Sequence, residues 1–459
     1  MYTRRSILYL KSKPMLNLNR MTSWRCEFEY IIEVRIIKKK YLIFIVFPCL
    51  ISLFLLVQCN KKTDAPNNKK NESLELTSNL GINVHGSITE NDIKMIKEAG
   101  FHWVRLDLTW ANIETEKGVY DFEKGGYDKI HDILVKNGIH PYYILDYSNP
   151  IYEQEKSIVT ETGREAFKNF VKATIHRYKD NGAVWEIWNE PNSSDFWRPQ
   201  PSYEEYFLLV EEVAPVIKKE DKSSIVVAPA LNGINEDSLH WLEATFKRGI
   251  LRHIDAVSVH PYRQHHPETV VNDYAKVEQL IKEYSPRDIP VISGEWGYSM
   301  EHTENRREGE LKQASYATRV MLINSWRNIP VSIWYNFRND GNNLNNSSNN
   351  FGTLWSDNEP KLTYRAIKNL SSILKGYHYT KKIENGQPND YIFKLSNKKG
   401  KEILVFWTSD TDHYVNINMT SGKGQLISML GERQDIQWNQ KHISLKLTSS
   451  PHYLIINNK

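Results

Sequence analysis

Residues 185–192 of this 459-residue chain read Trp-Glu-Ile-Trp-Asn-Glu-Pro-Asn. The segment begins as a short apolar run typical of a buried strand and ends on Asn189 and Glu190. Because proline disfavours the helical region for the residue before it, Pro191 predicts an extended backbone at Glu190. A strand that ends on a carboxylate between large aromatic side chains is typical of the mouth of a catalytic barrel.

Seven further apolar runs of this kind alternate with longer amphipathic stretches. Alternation of short apolar runs with helical patterns favours repeated β-α units and a parallel sheet. Eight units over about 300 residues is the size of a (β/α)8 TIM barrel, which is an α/β fold. No Gly-rich phosphate turn follows the first run, which disfavours a doubly wound nucleotide-binding sheet. The eight runs cover residues 80–86, 103–110, 139–147, 184–190, 225–231, 254–262, 290–296 and 331–337.

Local signals place helices between these runs and a second domain after them. Thr89 and Asp92 have the spacing of a capping box, and Gly100 and Gly138 are placed to end helices. Beyond the barrel at 80–376, short runs rich in Ile, Val, Tyr and Phe predict a C-terminal β-sandwich at 377–459. These runs are 391–395, 403–408, 414–417, 443–447 and 452–456.

The composition fits a globular, exported protein. The formal charge is +4, but residues 1–60 carry ten Lys/Arg against three Asp/Glu, so the remainder is slightly acidic and gives no indication of a nucleic-acid partner. The three cysteines, Cys26, Cys49 and Cys59, all precede residue 60. The folded body therefore has no cysteine for a disulfide or a thiolate metal site.

The leader at 1–59 has the order of a secretory signal, with Lys38-Lys39-Lys40 before an uncharged run at 41–59. The end of that run resembles a bacterial lipoprotein signal with Cys59 as the lipid acceptor, although Gln58 departs from the usual small residue. An uncleaved anchor helix is the alternative, to which Pro48 is poorly suited. With 60–79 as a polar linker, we expect a membrane-anchored lipoprotein, periplasmic or at the cell surface, or a secreted protein.

Two glutamates end predicted strands: Glu190 ends the fourth run and Glu295 ends the seventh. The C-terminal strand ends of a TIM barrel converge on one mouth. Glycosidic bond cleavage needs two carboxyl groups there, one as acid and one as nucleophile or base. The pair therefore predicts a glycoside hydrolase.

Four elements together resemble a known group of enzymes. Asn189-Glu190-Pro191 at the fourth run, His260-Pro261-Tyr262 at the sixth and Glu295 at the seventh resemble the retaining glycoside hydrolases of clan A. Residues 185–192 with Phe196-Trp197, and Ser-Pro-His-Tyr-Leu at 450–454, most resemble glycoside hydrolase family 39 and its relatives.

The resemblance implies that Glu190 is the general acid/base and Glu295 the nucleophile. It also implies that Asn189 donates its amide to the sugar 2-hydroxyl, which needs an irregular strand end because strand alternation would turn Asn189 away from Glu190. Tyr262 would support the nucleophile.

His260 shares the parity of Tyr262 and could face the mouth or pack as a hydrogen-bonded rim residue. Arg105 matches the clan's arginine near the nucleophile, and a structural ion pair is its alternative role. Glu186 lies deeper and is expected to be a buried partner, for which Arg105 is a candidate.

Six aromatic residues at strand ends are candidates for stacking on sugar rings, although packing in the core is the competing role for such large side chains. Trp188 is also a candidate apolar wall for Glu190. The loop at 339–350 could order a cation with Asp340 or be a solvated, flexible loop. No spaced zinc motif occurs, and the chemistry needs no metal or cofactor. The six aromatics are Trp110, Tyr147, Trp188, Trp197, Trp296 and Trp334.

The sequence thus predicts a retaining hydrolase of β-linked oligo- or polysaccharides, of β-xylosidase or endo-β-glycanase type. A surface lipoprotein that binds glycans without cleaving them and a transglycosidase on the same scaffold are the alternatives. Sequence does not choose among β-xylosides, β-glucans and mannans, nor does it give the oligomeric state.

Overall fold

The computed structural model describes residues 75–300, 305–439 and 441–457. The predicted leader, Cys59 and most of the linker lie outside these residues. Within the described ranges, no helix combines the length and the apolar character that a membrane crossing requires.

Eight parallel strands close into a barrel in the order of the chain, so the predicted TIM barrel is confirmed. Each strand falls within or at the edge of one of the eight apolar runs. The strands are β1 (Leu80–Asn83), β2 (Trp103–Thr109), β3 (His140–Asp146), β4 (Val184–Ile187), β5 (Ile225–Asn232), β6 (Ala256–His260), β7 (Val291–Trp296) and β8 (Ser332–Trp334).

Helices follow the barrel strands and cover the outside of the barrel. The predicted capping box is present, with the Thr89 side chain accepting from the Asp92 backbone N–H. Gly100 and Gly138 have φ of +85° and +69° in the turns that lead into β2 and β3, a conformation that favours glycine. The helices are α1 (Glu90–Glu98), α2 (Trp110–Ile113), α3 (Tyr127–Lys136), α4 (Glu161–Tyr178), α5 (Tyr203–Glu220), α6 (Glu236–Arg248), α7 (Val270–Tyr284), α8 (Arg306–Trp326) and α9 (Leu362–Leu374).

The barrel interior changes from apolar to polar along its axis. Its lower layer is packed with apolar side chains, among them Val184, Ile292 and Ile333. Two residues further along β4 and β7, strand alternation brings Glu186 and Gly294 to the same interior face. A polar layer therefore sits directly beneath the mouth.

The C-terminal region is a two-sheet β structure, which confirms the predicted sandwich. Three of its strands were not among the predicted runs, namely β9 (Tyr377–Lys382), β13 (Gly422–Ile427) and β14 (Arg433–Trp438). β13 and β14 read Gly-Lys-Gly-Gln-Leu-Ile and Arg-Gln-Asp-Ile-Gln-Trp, so neither contains an apolar run. A six-stranded sheet has the order β14-β13-β16-β11-β10-β9, and β12 pairs with β15. The strands are β9 (Tyr377–Lys382), β10 (Asp390–Asn397), β11 (Glu402–Thr408), β12 (His413–Asn418), β13 (Gly422–Ile427), β14 (Arg433–Trp438), β15 (His442–Leu447) and β16 (His452–Asn457).

Both faces of β11, a central strand of the six-stranded sheet, are buried. On β11, Leu404 and Phe406 pack with the two-stranded sheet, while Val405 and Trp407 belong to the large core that includes the barrel. The Phe393 ring on β10 lies 5.2 Å from the Trp326 ring at the end of α8. The sheet is therefore packed against the barrel through α8.

A buried ion pair lies in this contact. Arg319 of α8 donates to both oxygens of Glu268, at 2.7 and 2.6 Å, and both side chains are almost completely buried. The indole of Trp407 donates to Glu268 at 2.7 Å. The buried Glu268 carboxylate is thus hydrogen-bonded both by a side chain of the barrel and by a side chain of the sandwich.

We predict that Arg319→Met destabilises the fold by about 3–5 kcal/mol, because it leaves the Glu268 carboxylate buried with one partner lost. Urea denaturation monitored by tryptophan fluorescence measures the free energy of unfolding. The matched control is Arg327→Met, which breaks a half-exposed pair with Glu278 and should cost less than about 1 kcal/mol. Equal losses in the two variants would contradict a special role for the buried pair.

Candidate active site

The polar layer beneath the mouth is organised by Arg105 on β2, which is 1% exposed. Its guanidinium contacts side chains from β1, β4, the turn after β4, β6 and β7. The partners are Glu186 Oε2 (Nε at 3.0 Å and Nη2 at 2.7 Å), Asn83 Oδ1 (3.1 Å), Glu295 Oε2 (2.6 Å), Asn189 Oδ1 (2.8 Å) and His260 Nε2 (3.3 Å). One planar cation therefore fixes the relative positions of five strands.

Glu186 is the buried partner of Arg105, as predicted. Its second oxygen accepts from the Tyr142 hydroxyl at 2.8 Å and from the Ser258 hydroxyl at 2.5 Å. A fully buried carboxylate that accepts four hydrogen bonds has no free position for a substrate. Glu186 is therefore a structural anchor and not a third catalytic acid.

Gly294 of β7 leaves the space that this anchor occupies. A Cβ at Gly294 would lie 2.3 Å from the Ser258 oxygen and 3.2 Å from both Glu186 Oε1 and the Tyr142 hydroxyl. The residue before Glu295 is therefore glycine because the buried carboxylate and its donors fill the room for a side chain.

Glu295 is held by two donors at the end of β7. The Tyr262 hydroxyl donates to its Oε1 at 2.7 Å, and Arg105 donates to its Oε2 at 2.6 Å. Both contacts match the predictions from sequence. Donors on both oxygens fix the orientation of this carboxyl group at the mouth.

Glu190 lies opposite, with its side chain 7% exposed. His260 Nδ1 is 2.8 Å from Glu190 Oε1, and the Asn232 amide donates to Oε2. Because a guanidinium only donates, the Arg105 contact makes His260 Nε2 an acceptor and places the ring proton on Nδ1. His260 therefore donates to Glu190. It is fully buried and is part of the site.

The two candidate catalytic carboxylates are close together. One oxygen of Glu190, one of Glu295 and one ring nitrogen of His260 all lie within 4.8 Å of one another. Such a triad could in principle hold a divalent cation. However, Nδ1 of His260 carries a proton and Nε2 is occupied by Arg105, so its ring has no free lone pair for a metal.

The backbone at the end of β4 is irregular. Trp188 and Glu190 have φ of +70° and +49°, and the Glu190 N–H donates to the Ala230 carbonyl at 3.2 Å. The extended conformation predicted for Glu190 from Pro191 is therefore wrong, because this tie to β5 sets the backbone. The irregular strand end that Asn189 needs is present. Since Asn189 presents its oxygen to Arg105, its NH2 group faces the Tyr147 hydroxyl and has a second N–H with which to meet a ligand.

The prediction of sugar stacking is wrong for five of the six aromatic candidates, because their side chains are fully buried. The Trp110 indole donates to Glu114 at 2.6 Å and stacks on Tyr152. Trp188 and Trp197 pack on each other with ring centres 5.0 Å apart. Trp296 and Trp334 belong to the core around the barrel, where large rings fill the layer beneath the helices. Tyr147 is half-buried and remains a candidate.

Sequence reasoning missed the aromatic group that lines the mouth beside Glu295. Tyr335, just after β8, and Phe351 have ring centres 5.5 Å apart, and both pack edge-to-face with Tyr262. Both rings are half-buried. The position of Tyr335 immediately after a barrel strand could have identified it, whereas no signal in the sequence marks Phe351.

The loop at 339–350 is mostly exposed to solvent, and amide hydrogen bonds hold its two buried ends. Asn350 is fully buried and donates to the carbonyls of Leu344 and Asn346, both at 3.0 Å. Asp340, the candidate cation ligand, accepts instead from Asn336 at 2.9 Å and pairs with His85 at 2.9 Å. This pair lies at the mouth between β1 and β8.

Comparison with known proteins agrees with this geometry. The sequence model of the cellulase family (glycosyl hydrolase family 5) matches residues 66–340. The chain belongs to this family. It is therefore a glycoside hydrolase of clan A, as predicted.

Three relatives illustrate the similarity. A family 39 glycoside hydrolase from Bacteroides cellulosilyticus WH2 has a TM-score of 0.73 at 22% identity, over 84% of this chain and 82% of its own. A family 30 endoxylanase from Clostridium papyrosolvens C71 has a TM-score of 0.59 at 14% identity, over 83% and 95%. These likenesses show the fold.

A β-xylosidase from Caldicellulosiruptor saccharolyticus is 26% identical over 191 residues, which are 36% of this chain and 37% of the relative. The chain spans only 20–37% of the length of the curated relatives it matches first.

The His85 and Asp340 pair predicts a pH-dependent contribution to stability. Burial alone would lower the pKa of His85, but the hydrogen bond and charge of Asp340 outweigh it and raise the pKa above 6.5. The folded state thus binds this proton more tightly than the unfolded state. The stabilisation is complete below the unfolded pKa of about 6.5 and is lost as the pH rises through the folded pKa.

We therefore expect His85→Gln to lower the melting temperature more at pH 5.5 than at pH 9, measured by differential scanning fluorimetry in one buffer series. His240→Gln removes an exposed histidine on α6 and should give the same small change at both pH values. A His85→Gln deficit that does not shrink with rising pH would contradict the role of the pair.

Proposed function

We propose that this protein is a retaining β-glycosidase that cleaves oligo- or polysaccharides by double displacement. The observation that carries the proposal is that one carboxyl oxygen of Glu190 and one of Glu295 lie within 4.8 Å of each other. An approach this close supports the shorter of the two separations known for glycosidases. Retaining enzymes hold their carboxyl groups about 5–5.5 Å apart, whereas inverting enzymes need about 6.5–9.5 Å for a water molecule.

In the first half-reaction, a Glu295 oxygen attacks the anomeric carbon while Glu190 gives its proton to the glycosidic oxygen. The bond to the leaving group breaks and a glycosyl ester forms on Glu295. Arg105 and Tyr262 orient the nucleophile through its two oxygens. The NH2 group of Asn189 is placed to donate to the 2-hydroxyl, a contact that strengthens in the transition state.

The acid proton of Glu190 belongs on Oε2, because Oε1 already accepts from His260 Nδ1. Asn232 faces Oε2 and can present either end of its amide. Its oxygen would accept from protonated Glu190, and its NH2 group would donate to the carboxylate after the proton leaves. Asn232 would thus serve both protonation states by turning its amide group about χ2, with its backbone in place.

In the second half-reaction, the Glu190 carboxylate takes a proton from an entering water, and the resulting hydroxide displaces Glu295 from the anomeric carbon. Two inversions give net retention. The β-xylosidase relative supports a β-xyloside as the substrate class. A β-glucosidase from Arabidopsis thaliana that is 29% identical over 109 residues supports a β-glucoside.

We predict that Glu190→Gln lowers kcat/KM for an aryl β-glycoside with a poor leaving group about 10²–10⁴-fold, because departure then lacks the acid. Cleavage of a 2,4-dinitrophenyl glycoside to the glycosyl enzyme should continue, and azide should restore turnover with a β-glycosyl azide as product. Glu295→Gln should lose activity on both substrates. Glu236→Gln, an exposed change on α6, is the control.

Proton NMR of the first-formed sugar decides the stereochemistry, and an α product would overturn the retaining assignment. Binding of glycans without any product favours the glycan-binding alternative. Products longer than the substrate favour transglycosylation.

A second prediction separates Asn232 from a general support of the fold. Asn232→Ala should lower kcat/KM about tenfold for aryl glycosides with poor leaving groups. The loss should be smaller for dinitrophenyl glycosides, because only poor leaving groups need the proton of Glu190. Equal losses across a series of leaving groups would contradict a contact that acts through the acid.

A further inference from the structure

A second pair of carboxyl groups lies at the mouth, outside the machinery described so far. Asp146 ends β3 and is fully buried, and Asp107 of β2 is half-buried. Neither oxygen of Asp146 accepts a hydrogen bond from an N–H or O–H group among the described residues. A buried, unpaired carboxylate is costly, so this arrangement calls for an explanation.

The Asp107 carboxyl lies within hydrogen-bonding reach of Asp146. Two carboxyl groups can hydrogen-bond only if one of them holds a proton. Asp146 is fully buried and Asp107 is half-exposed, so the charged form costs more at Asp146. Burial accordingly raises the pKa of Asp146 well above its usual value, and Asp146 is the member that donates to Asp107.

Asp107 faces the catalytic mouth. It follows Arg105 by two residues on β2 and so shares its interior face, one step nearer the opening. Its charge acts on His85 after β1, Tyr147 after β3 and Tyr335 after β8. The half-exposed carboxylate thus stands among strand ends beside the nucleophile, and the proposed mechanism does not use it.

The local charge balance disfavours an anionic ligand at this position. The single positive charge of Arg105 is shared between two carboxyl groups, those of Glu186 and Glu295, and His85 pairs with Asp340. The ammonium of Lys156 lies 3.9 Å from the centre of the Tyr147 ring and donates to the Asp195 carbonyl at 3.3 Å. Asp107 therefore adds a negative charge that no cation among the described residues pairs with directly.

From this geometry, and resting on the proposed hydrolase function, we propose that Asp107 binds hydroxyl groups of a neutral sugar and rejects a glycone that carries a carboxylate or a phosphate. Asp146 is a positioning residue that holds Asp107 in place through their shared hydrogen bond. The glycone is the part of the substrate that bonds to Glu295. A carboxylate oxygen accepts sugar hydroxyls well, whereas a second anion beside it is repelled.

The test uses the full-length protein and matched aryl β-glycosides. Wild type should cleave a β-glucoside or β-xyloside and prefer the glucoside to the glucuronide, which differs only at C6, by about a hundredfold or more. Analogues of the cleaved glycoside that lack the 3- or the 4-hydroxyl report the contact itself. If Asp107 binds one of these hydroxyls, the analogue without that hydroxyl should be cleaved by wild type with a kcat/KM about tenfold or more lower than the parent glycoside. The same removal should lower the kcat/KM of Asp107→Asn much less.

Asp146 is tested by a pair of variants. The amide of Asp146→Asn can still donate to Asp107, whereas Asp146→Leu cannot, so the asparagine variant should retain more of the selectivity between the parent and deoxy glycosides. Asp237→Asn, which removes an exposed carboxylate on α6, should leave every ratio unchanged. Unfolding midpoints of all variants exclude simple loss of folding.

Three outcomes overturn the proposal while leaving the hydrolase function intact. The first is efficient cleavage of the glucuronide by wild type, and the second is uronide cleavage that Lys156→Met abolishes. The third is that the loss of kcat/KM caused by Asp107→Asn simply adds to the loss caused by removing each hydroxyl. If no glycoside is cleaved, the hydrolase function fails. Saturation-transfer NMR with xylose and glucose then tests the sugar contact of Asp107 separately. Sugar binding that Asp107→Asn abolishes supports the contact. Absence of sugar binding to wild type overturns it.

Discussion

The guanidinium of Arg105 is the contact on which the rest of the site depends. It is buried at the top of the barrel interior, where an unpaired charge would be very costly, and the site surrounds it with oxygen acceptors and one imidazole nitrogen. Glu186 neutralises it from below and Glu295 from above. The same cation that makes the polar layer stable therefore also sets the orientation of Glu295 and of the histidine that contacts Glu190.

This arrangement explains why the fold was readable from sequence. Barrel strands buried on both faces are continuous apolar runs, so all eight were visible, and the ends of these runs show which side chains lie at the mouth. Glu190, Glu295 and Tyr262 were found in this way. The contacts of Arg105 with Glu186 and Glu295 followed from strand parity together with the family resemblance.

Other parts of the site were not predictable, for physical reasons that differ. Asn232 reaches Glu190 because β5 is bulged and tied to the segment after β4, and strand periodicity does not encode that irregularity. The buried tryptophans were misjudged because a ring at a strand end can turn either into the mouth or into the layer beneath the helices. The pairing of Asp107 with Asp146 depends on distance between neighbouring strands and on exclusion of water, neither of which a single sequence shows.

The burial of both faces of β11 has a consequence for how this protein can be shortened. Val405 and Trp407 continue the core of the barrel, and Leu404 and Phe406 close a second core behind them. Cutting the chain after α9 would therefore expose the apolar surface of the barrel that this strand covers. The smallest unit expected to fold as a stable piece includes both the barrel and the C-terminal sheets.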